Sequence, residues 1–496
     1  MLEALKKEAN ITYTENGAVS LRSSGEACLD LFASIGALRR ADEAEIISRF
    51  IKAYTENADL AMKVLFYARD IRGGLGERRV FRSILRWLAE NEKQSAVKNI
   101  SHIAEFGRWD DMLVLLDTPC RSEALALMKN QFERDLAALE IEGEVSLLAK
   151  WLPSANASNP ETIHMAKSII KAFGMKEADY RKALSRLRSY IRIIENNLRE
   201  KDYSFDYSKQ PSKAMFKYRR AFYRNDEERY MAFLESVDKG EAKLNTGTLM
   251  PYELVDPYLY SNGCWNEHSF MRPLEDAEKR TLNSTWEALP DFCSDENALA
   301  IVDTSGSMYC AHNPKPASVA LSLGLYFAER AKGPYKNHFI EFSSKPELIE
   351  IKGETFADRL RYIASFNEIA DTNLEAVFEL ILNAAVKNKL PQEELPAKLY
   401  IISDMEFNSC VRKASLSNFE NAKERFARHG YKLPQIVFWN VASRAQQIPV
   451  RCNEAGVALV SGCSPRIFSL VMSGETDPYS FMLSVVNSER YECIAA

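Results

Sequence analysis

Ala298-Leu299-Ala300-Ile301-Val302-Asp303-Thr304-Ser305-Gly306-Ser307-Met308 is the stretch that decides the fold. Its first half is apolar and rich in β-branched residues, the pattern of a strand buried on both faces. Its second half is Asp-x-Ser-x-Ser on a tight loop. Three oxygen-bearing side chains at the carboxyl end of a strand suit a hard cation such as magnesium. In open α/β sheets, sites gather at that end of the strands.

Two further loops complete the pattern. Ala370-Asp371-Thr372-Asn373-Leu374 precedes an amphipathic helix and offers a threonine. Leu399-Tyr400-Ile401-Ile402-Ser403-Asp404 is a second buried strand ending in a carboxylate. Together the three loops resemble the metal-ion-dependent adhesion site of a von Willebrand factor A domain. That resemblance implies that Asp303, Ser305, Ser307, Thr372 and Asp404 hold Mg2+ or another divalent cation. It also implies one coordination position left for an acidic side chain of a protein partner. Met405-Glu406-Phe407 departs from the pattern, because many A domains place a glycine after this aspartate.

Outward from these loops the same domain continues. His338–Phe342, Gln435–Asn440 and Val457–Ser461 read as further strands. Pro316–Arg330, Thr355–Ile363, Leu374–Ala385, Asn418–His429 and Pro465–Met472 read as helices. Strands separated by helices predict a parallel sheet covered on both faces, a Rossmann-type α/β domain over residues 291–496. Cys310 and His312, just beyond the first loop, are too few for a zinc site and read as loop residues.

A chain of 496 residues calls for more than this one domain. With 46% hydrophobic residues it has the material for packed cores. No apolar run approaches the roughly 20 residues that a membrane span needs. The acidic start Met1-Leu2-Glu3-Ala4 is unlike a signal peptide. Nine scattered cysteines without a CxxC pair fit a reducing compartment, so a cytoplasmic protein is expected.

Residues 1–24 read as an N-terminal arm or short strand, with a turn at Asn16-Gly17. From there to residue 290 the periodicity is helical. Asp42 opens a helix with Ile46, Ile47, Phe50 and Ile51 on one face. Asp59–Arg69 is another, a third runs from near Glu77 to Leu88, and a fourth opens near Ser101. Short helices with short links predict a solenoid of HEAT-like repeats. Between the second and third helices lies Asp70-Ile71-Arg72-Gly73-Gly74-Leu75-Gly76-Glu77-Arg78-Arg79. It is no Walker loop, since no Gly-Lys-Ser/Thr follows. Its glycines fit a helix C-cap. Its arginines, with Arg69 and Arg82, either contact RNA phosphate or serve the fold.

Several blocks carry a second resemblance. They are Tyr67–Arg78, Gly107-Arg108-Trp109-Asp110-Asp111, Lys150-Trp151-Leu152-Pro153-Ser154, Tyr180-Arg181-Lys182, Leu187-Arg188, Ile194-Glu195, Pro211-Ser212-Lys213-Ala214 and Ala221-Phe222. They resemble an uncharacterised, DUF2828-like family related to the TROVE module of Ro ribonucleoproteins. The resemblance covers residues 25–290. It implies a ring of helical repeats closed by the A-like domain, and binding of structured noncoding RNA or the ends of misfolded RNA.

The residues themselves add a local charge excess. The formal net charge is −5, yet residues 171–224 hold fifteen Lys or Arg against six Asp or Glu. Arg181, Lys182, Arg186, Arg188 and Arg192 fall on one predicted helix, residues 179–198. Lys213, Lys217, Arg219, Arg220 and Arg224 fall on the next, interleaved with Tyr218, Phe222 and Tyr223. Cations among aromatics are the means by which single strands are held. A solvated helix face paired with acidic neighbours is the alternative. The candidate RNA contacts are therefore Arg69, Arg72, Arg78, Arg181, Lys182, Arg188, Lys213, Lys217 and Arg220. Trp265, Trp286 and Phe292 are expected where the helical and α/β domains join.

No catalytic set emerges. Asp404 and Glu406 are paired acids with nothing to place a substrate between them. The expected function is RNA binding. The alternatives are a metal-dependent protein-interaction scaffold and a magnesium-dependent phosphoryl-transfer enzyme.

Overall fold

The computed structural model describes residues 1–191, 193–259, 274–293, 295–309, 314–342, 345–366, 372–409, 416–471 and 477–496. Arg192, the expected turn at 261–263, Trp265, Cys310, His312 and Asp371 lie outside them. The chain forms two compact units. One comprises residues 1–68, 73–75 and 246–491, the other 69–72, 76–245 and 492–496. This division differs from the three consecutive segments expected, because the first 68 residues belong with the sheet.

The first unit begins with a helix, Leu2–Asn10, followed by a hairpin of β1 (Ile11–Tyr13) and β2 (Val19–Leu21), paired Ile11 to Leu21 through Tyr13 to Val19. Its main sheet has six strands. They are β3 (Ala298–Asp303), β4 (His338–Phe342), β5 (Glu347–Glu350), β6 (Lys398–Ser403), β7 (Gln435–Asn440) and β8 (Val457–Ser461). The order is β5-β4-β3-β6-β7-β8. All neighbours are parallel except β4 and β5. The sheet is therefore mixed, with an antiparallel edge beyond the parallel core that the sequence predicts. Every residue of β3 and β6 is buried, as expected for strands covered on both faces. The helix Pro316–Arg330 lies against β3 so closely that a Cβ on Gly324 would meet Val302 Cγ2 at 2.3 Å.

Strand order reverses at β3, whose two neighbours β4 and β6 follow it in opposite directions across the sheet. The carboxyl ends of β3 and β6 thus flank a topological switch point, where crevices form in such sheets. Trp286 is in the interior of this unit, stacked on Phe356 with ring centroids 4.4 Å apart, and its Nε1 donates to Glu329 at 2.6 Å.

The second unit is helix-rich. Its principal helices are Arg79–Asn91, Arg121–Glu140, Pro160–Phe173, Glu177–Tyr190, Ser212–Asn225 and Glu227–Asp238. The boundaries of Pro160–Phe173 follow from local chemistry. Asn159 accepts from the Glu161 and Thr162 N–H groups, proline occupies the first turn, and Gly174 at φ +69° ends the helix. Phe132, Phe173 and Tyr180 form one aromatic core, and Phe205, Tyr207, Phe222, Tyr230 and Phe233 another. The expected fourth helix is broken into pieces at Ile100–His102, Ile103–Phe106 and Trp109–Asp117. The long helix expected over 179–198 is two helices, Glu177–Tyr190 and Ile194–Glu200. Among the described residues no helix is long and apolar enough to cross a membrane.

Helix Ala27–Ile35 ends against β8 in the first unit. The Gly36 N–H donates to Ser461 Oγ at 3.0 Å, and Ser461 Oγ donates to Phe32 O at 3.1 Å. A Cβ on Gly36 would sit 2.6 Å from Ser461 O and 2.8 Å from Gly462 Cα, both backbone atoms that cannot step aside. Gly36→Ala is expected to lower stability by about 1–3 kcal/mol. Urea unfolding monitored by tryptophan fluorescence measures it, and an unchanged midpoint would refute the close approach.

Candidate functional site

The loops after β3 and β6 bring four of the five expected oxygen donors into one chain of hydrogen bonds. Asp303 is fully buried. Its Oδ1 accepts from the Ser305 N–H at 2.9 Å and its Oδ2 from Ser403 Oγ at 2.5 Å. Ser305 Oγ lies 3.2 Å from Ser307 Oγ, and Ser307 Oγ donates to Asp404 Oδ2 at 2.7 Å. Asp404 Oδ1 accepts from the Glu406 N–H at 3.2 Å. Burial pushes the Asp303 carboxyl well above its usual range, and the nearby Asp404 charge adds to the rise. Thr372 makes a different bond. Its Oγ1 accepts from Asn16 Nδ2 at 3.4 Å.

This arrangement overturns the expected cofactor. Among the described residues there is no group of three or more His, Cys, Asp or Glu side chains able to hold a metal ion. Asp303 and Asp404 are the carboxylates at this crevice from the expected set, and their oxygens are taken by Ser403, Ser307 and two backbone N–H groups. Positive charge comes instead from Arg444, whose Nη1 is 3.5 Å from Asp404 Oδ2 and whose Nη2 is 2.6 Å from Glu15 Oε2. The expectation of Mg2+ or another divalent cation at Asp303, Ser305, Ser307, Thr372 and Asp404 is thereby corrected.

The departure at Met405 has a structural meaning. Met405 adopts φ +70°, the left-handed conformation that favours glycine, while keeping its side chain buried. Glu406 follows it into the interior, and burial pushes its carboxyl up against the hydrogen bond from the Glu15 N–H. Sequence reasoning missed Ser403, Arg444 and Asn16 as members of this crevice. Asn16-Gly17 carried a turn signal, whereas nothing local marks Arg444.

The second unit holds the candidate RNA contacts, at separate places. Arg69 is 2% exposed, and its Nη2 and Nε lie 2.6 and 2.8 Å from Asp111 Oδ2. Arg82 Nε reaches the other oxygen of Asp111 at 2.6 Å, and its Nη2 reaches Asp110 at 2.7 Å. Arg108 also binds Asp110 and lies over the Trp151 ring at 4.0 Å. Burial pulls the Arg69 guanidinium below its ordinary value against the attraction of Asp111. Part of the arginine crowd at the glycine-rich loop is thus an internal ion-pair network. Arg72 is exposed and donates to Glu105 O at 2.7 Å. Arg78 is exposed too, and burial together with its neighbours Arg108 and Arg82 lowers its pKa.

Arg181, Lys182 and Arg188 come together in the wall of a groove of about 1340 Å³. The groove runs between helices Glu177–Tyr190 and Ile194–Glu200 and the loop through Phe205 and Lys209. Arg188 is fixed by three acceptors, Ala149 O at 2.8 Å, Ser154 Oγ at 2.7 Å and Leu152 O at 2.7 Å. Arg181 and Lys182 are exposed, with no side-chain hydrogen bond or ion pair among the described residues. Acidic residues on the groove are engaged with close neighbours, Glu200 with Arg199 and Asp206 with Lys209. Lys213, Lys217 and Arg220 are exposed on helix Ser212–Asn225, outside the groove lining. Lys217 Nζ is 4.8 Å from the Tyr218 ring centre, whereas Phe222 is wholly buried in an aromatic core.

Comparison with known proteins now places the chain. Residues 14–133 and 124–299 match the family described as Domain of unknown function (DUF2828). The chain belongs to the DUF2828 family. Residues 297–489 match a second family, Domain of unknown function (DUF7788), whose match begins one residue before β3. Uncharacterized protein L728 of Acanthamoeba polyphaga mimivirus is 30% identical over 520 residues, spanning 96% of this chain and 87% of the viral protein. The DUF2828 match takes in residues 69–72 and 76–245 of the helix-rich unit, and the turn and β2 of the hairpin in the other unit.

Two outcomes check this picture. Asp111→Ala leaves Arg69 buried without its counter-charge and should lower stability by about 3–5 kcal/mol. Arg181→Ala, at an exposed position with no side-chain partner among the described residues, should stay within about 0.5 kcal/mol. Urea titrations of both read the contrast directly. Thermal unfolding in EDTA and in millimolar magnesium should give one Tm. A rise of several degrees on adding magnesium would contradict the corrected cofactor, since an ion held by the native state stabilises it by mass action.

Proposed function

We propose that this DUF2828 protein is an RNA-binding protein that takes exposed single-stranded segments into the groove lined by Arg181 and Lys182. The observation that carries the reading is that groove, with two exposed cations on its wall that have no side-chain partner among the described residues. Its volume of about 1340 Å³ exceeds the roughly 300–1,000 Å³ of small-molecule sites, which favours a polymer. Unpaired cations attract phosphates without first breaking a native ion pair. Asn196 and Asn197 on the same groove give their amide N–H groups to Arg188 O and Asp202 Oδ2 and present their amide oxygens to base edges, and Phe205 offers a ring for stacking. Duplex RNA hides its base edges, so loops, tails and ends are the fitting guests.

The resemblance of the helical blocks to Ro-type TROVE modules, and of the sheet loops to A domains, supports the same reading. It makes structured noncoding RNA and the ends of misfolded RNA the first candidates. The scaffold and phosphoryl-transfer alternatives both work through a divalent ion, so neither is proposed.

Arg181→Gln/Lys182→Gln tests the groove without touching Arg188, which holds the local fold. In a gel-shift titration against RNA with a single-stranded tail, the double variant should bind more weakly. Its slope of log affinity on log salt should fall by about 1.4, the contribution of two phosphate contacts to a single strand. Equal affinity and equal slope for the two proteins would exclude the groove as the RNA site.

A further inference from the structure

The turn between β1 and β2 sits in the crevice at the carboxyl end of the six-stranded sheet, bonded as a ligand would be. The Glu15 N–H donates to Glu406 Oε2 at 2.7 Å. Asn16 Nδ2 donates to Glu406 O at 2.6 Å and to Thr372 Oγ1 at 3.4 Å. Asn16 O accepts from the Ser409 N–H at 3.3 Å, and Gly17 pairs with Asn408 as an isolated antiparallel bridge. The Glu15 carboxylate pairs with Arg444, which also faces Asp404. Gly17 turns the chain at φ +84°, a conformation that suits glycine.

What holds this turn is recognition chemistry more than packing. Glu15, Asn16 and Gly17 are exposed, and the hairpin side chains that are buried are the small Thr14, Ala18 and Ser20. Strands of three residues have little stability of their own. Elements with few buried apolar contacts open locally before the core does. Beside the turn, Glu406 Oε1 is buried with no hydrogen-bond partner among the described residues, a cost that lifting the turn would relieve. The base of the hairpin is fastened separately, through reciprocal backbone hydrogen bonds between Leu21 and Ile448 at 2.9 and 2.8 Å. The turn can therefore leave while its base stays.

We propose that this crevice is a peptide-recognition site for an acidic-Asn-Gly turn, and that the N-terminal hairpin is its releasable, intramolecular occupant. Arg444 reads the carboxylate. Thr372 Oγ1 and the Glu406 carbonyl read the amide. The backbone at Asn408 and Ser409 pairs with the turn itself, at Gly17 and Asn16. A partner presenting the same turn would displace the hairpin. A tethered ligand acts at an effective concentration on the order of mM, so the closed form resists free peptide.

The test uses the full-length protein and a fluorescein-labelled peptide copying residues 10–22. Glu15→Ala/Asn16→Ala removes the tethered contacts and should bind the peptide at least ten-fold more tightly than the unmutated protein, by fluorescence anisotropy. Adding Arg444→Ala to that variant should return binding to the original level. A peptide with alanine at the Glu15 and Asn16 positions should not bind. Peptide binding equal in the opened and unmutated proteins, or indifferent to Arg444, overturns the proposal. Hydrogen exchange on the unmutated protein gives an answer independent of variant folding. The Glu15 and Ser409 amides should exchange together, well ahead of Leu21 and Ile448. Exchange of all four only with the β3 and β6 amides would mean that the turn does not release, and would overturn the proposal as well.

Discussion

A carboxylate that loses water must gain donors, and this constraint shapes both units. Asp303 and Asp111 are each wholly buried. An unpaired charge there would be heavily penalised, so each gathers partners from distant parts of the sequence. Asp303 draws in Ser403 from β6 and the Ser305 N–H from its own loop. Asp111 draws in Arg69 and Arg82, which lie before and after the glycine-rich loop. Gly107 is needed beside it, because a Cβ there would lie 2.4 Å from Asp111 Oδ2 and 2.8 Å from Arg69 Nε.

The two consequences differ in kind. In the first unit, satisfying the acids closes the crevice on itself. Serines, backbone N–H groups and Arg444 do the work that a divalent ion would otherwise do, and the N-terminal turn occupies the remaining space. In the second unit, satisfying the acids takes up Arg69 and Arg82 beside the glycine-rich loop and Arg108, while Arg181 and Lys182 have no side-chain partner among the described residues. Arg181 and Lys182 face a groove on which Glu200 and Asp206 have cationic neighbours and Asp202 is held by Asn197 Nδ2 and the Ser204 N–H. Free cations, and not total cations, are what an RNA phosphate can use. A chain with a net charge of −5 can bind a polyanion when its spare positive charge is gathered in one place.

The strands legible in the sequence were those with continuous apolar runs. β3, β6, β7 and β8 stand out because both their faces are covered, and β4 was legible too, with four of its five residues buried. β5 does not, because an antiparallel edge strand with one buried residue in four has no such run. The helix expected over 179–198 kept its apolar spacing but breaks after Tyr190, where no proline or glycine warns of it. At the candidate sites, periodicity found Asp303, Asp404 and the basic helices. It could not find Arg444 or the seat of Asn16, which reach the crevice through tertiary contacts over more than three hundred residues. The magnesium expectation failed for a related reason. Sequence spacing shows which oxygens meet, but it does not show that hydrogen bonds already hold them.

Ultraviolet crosslinking of the full-length protein to a short single-stranded RNA, with the crosslinked residues located by mass spectrometry, is the most direct test of the central claim. The account places the crosslinks on the groove wall, at and around Phe205 and in the Asn196–Lys209 stretch, with Arg181→Gln/Lys182→Gln removing them. Crosslinks confined to the six-stranded-sheet unit, or absent at low salt, would contradict it.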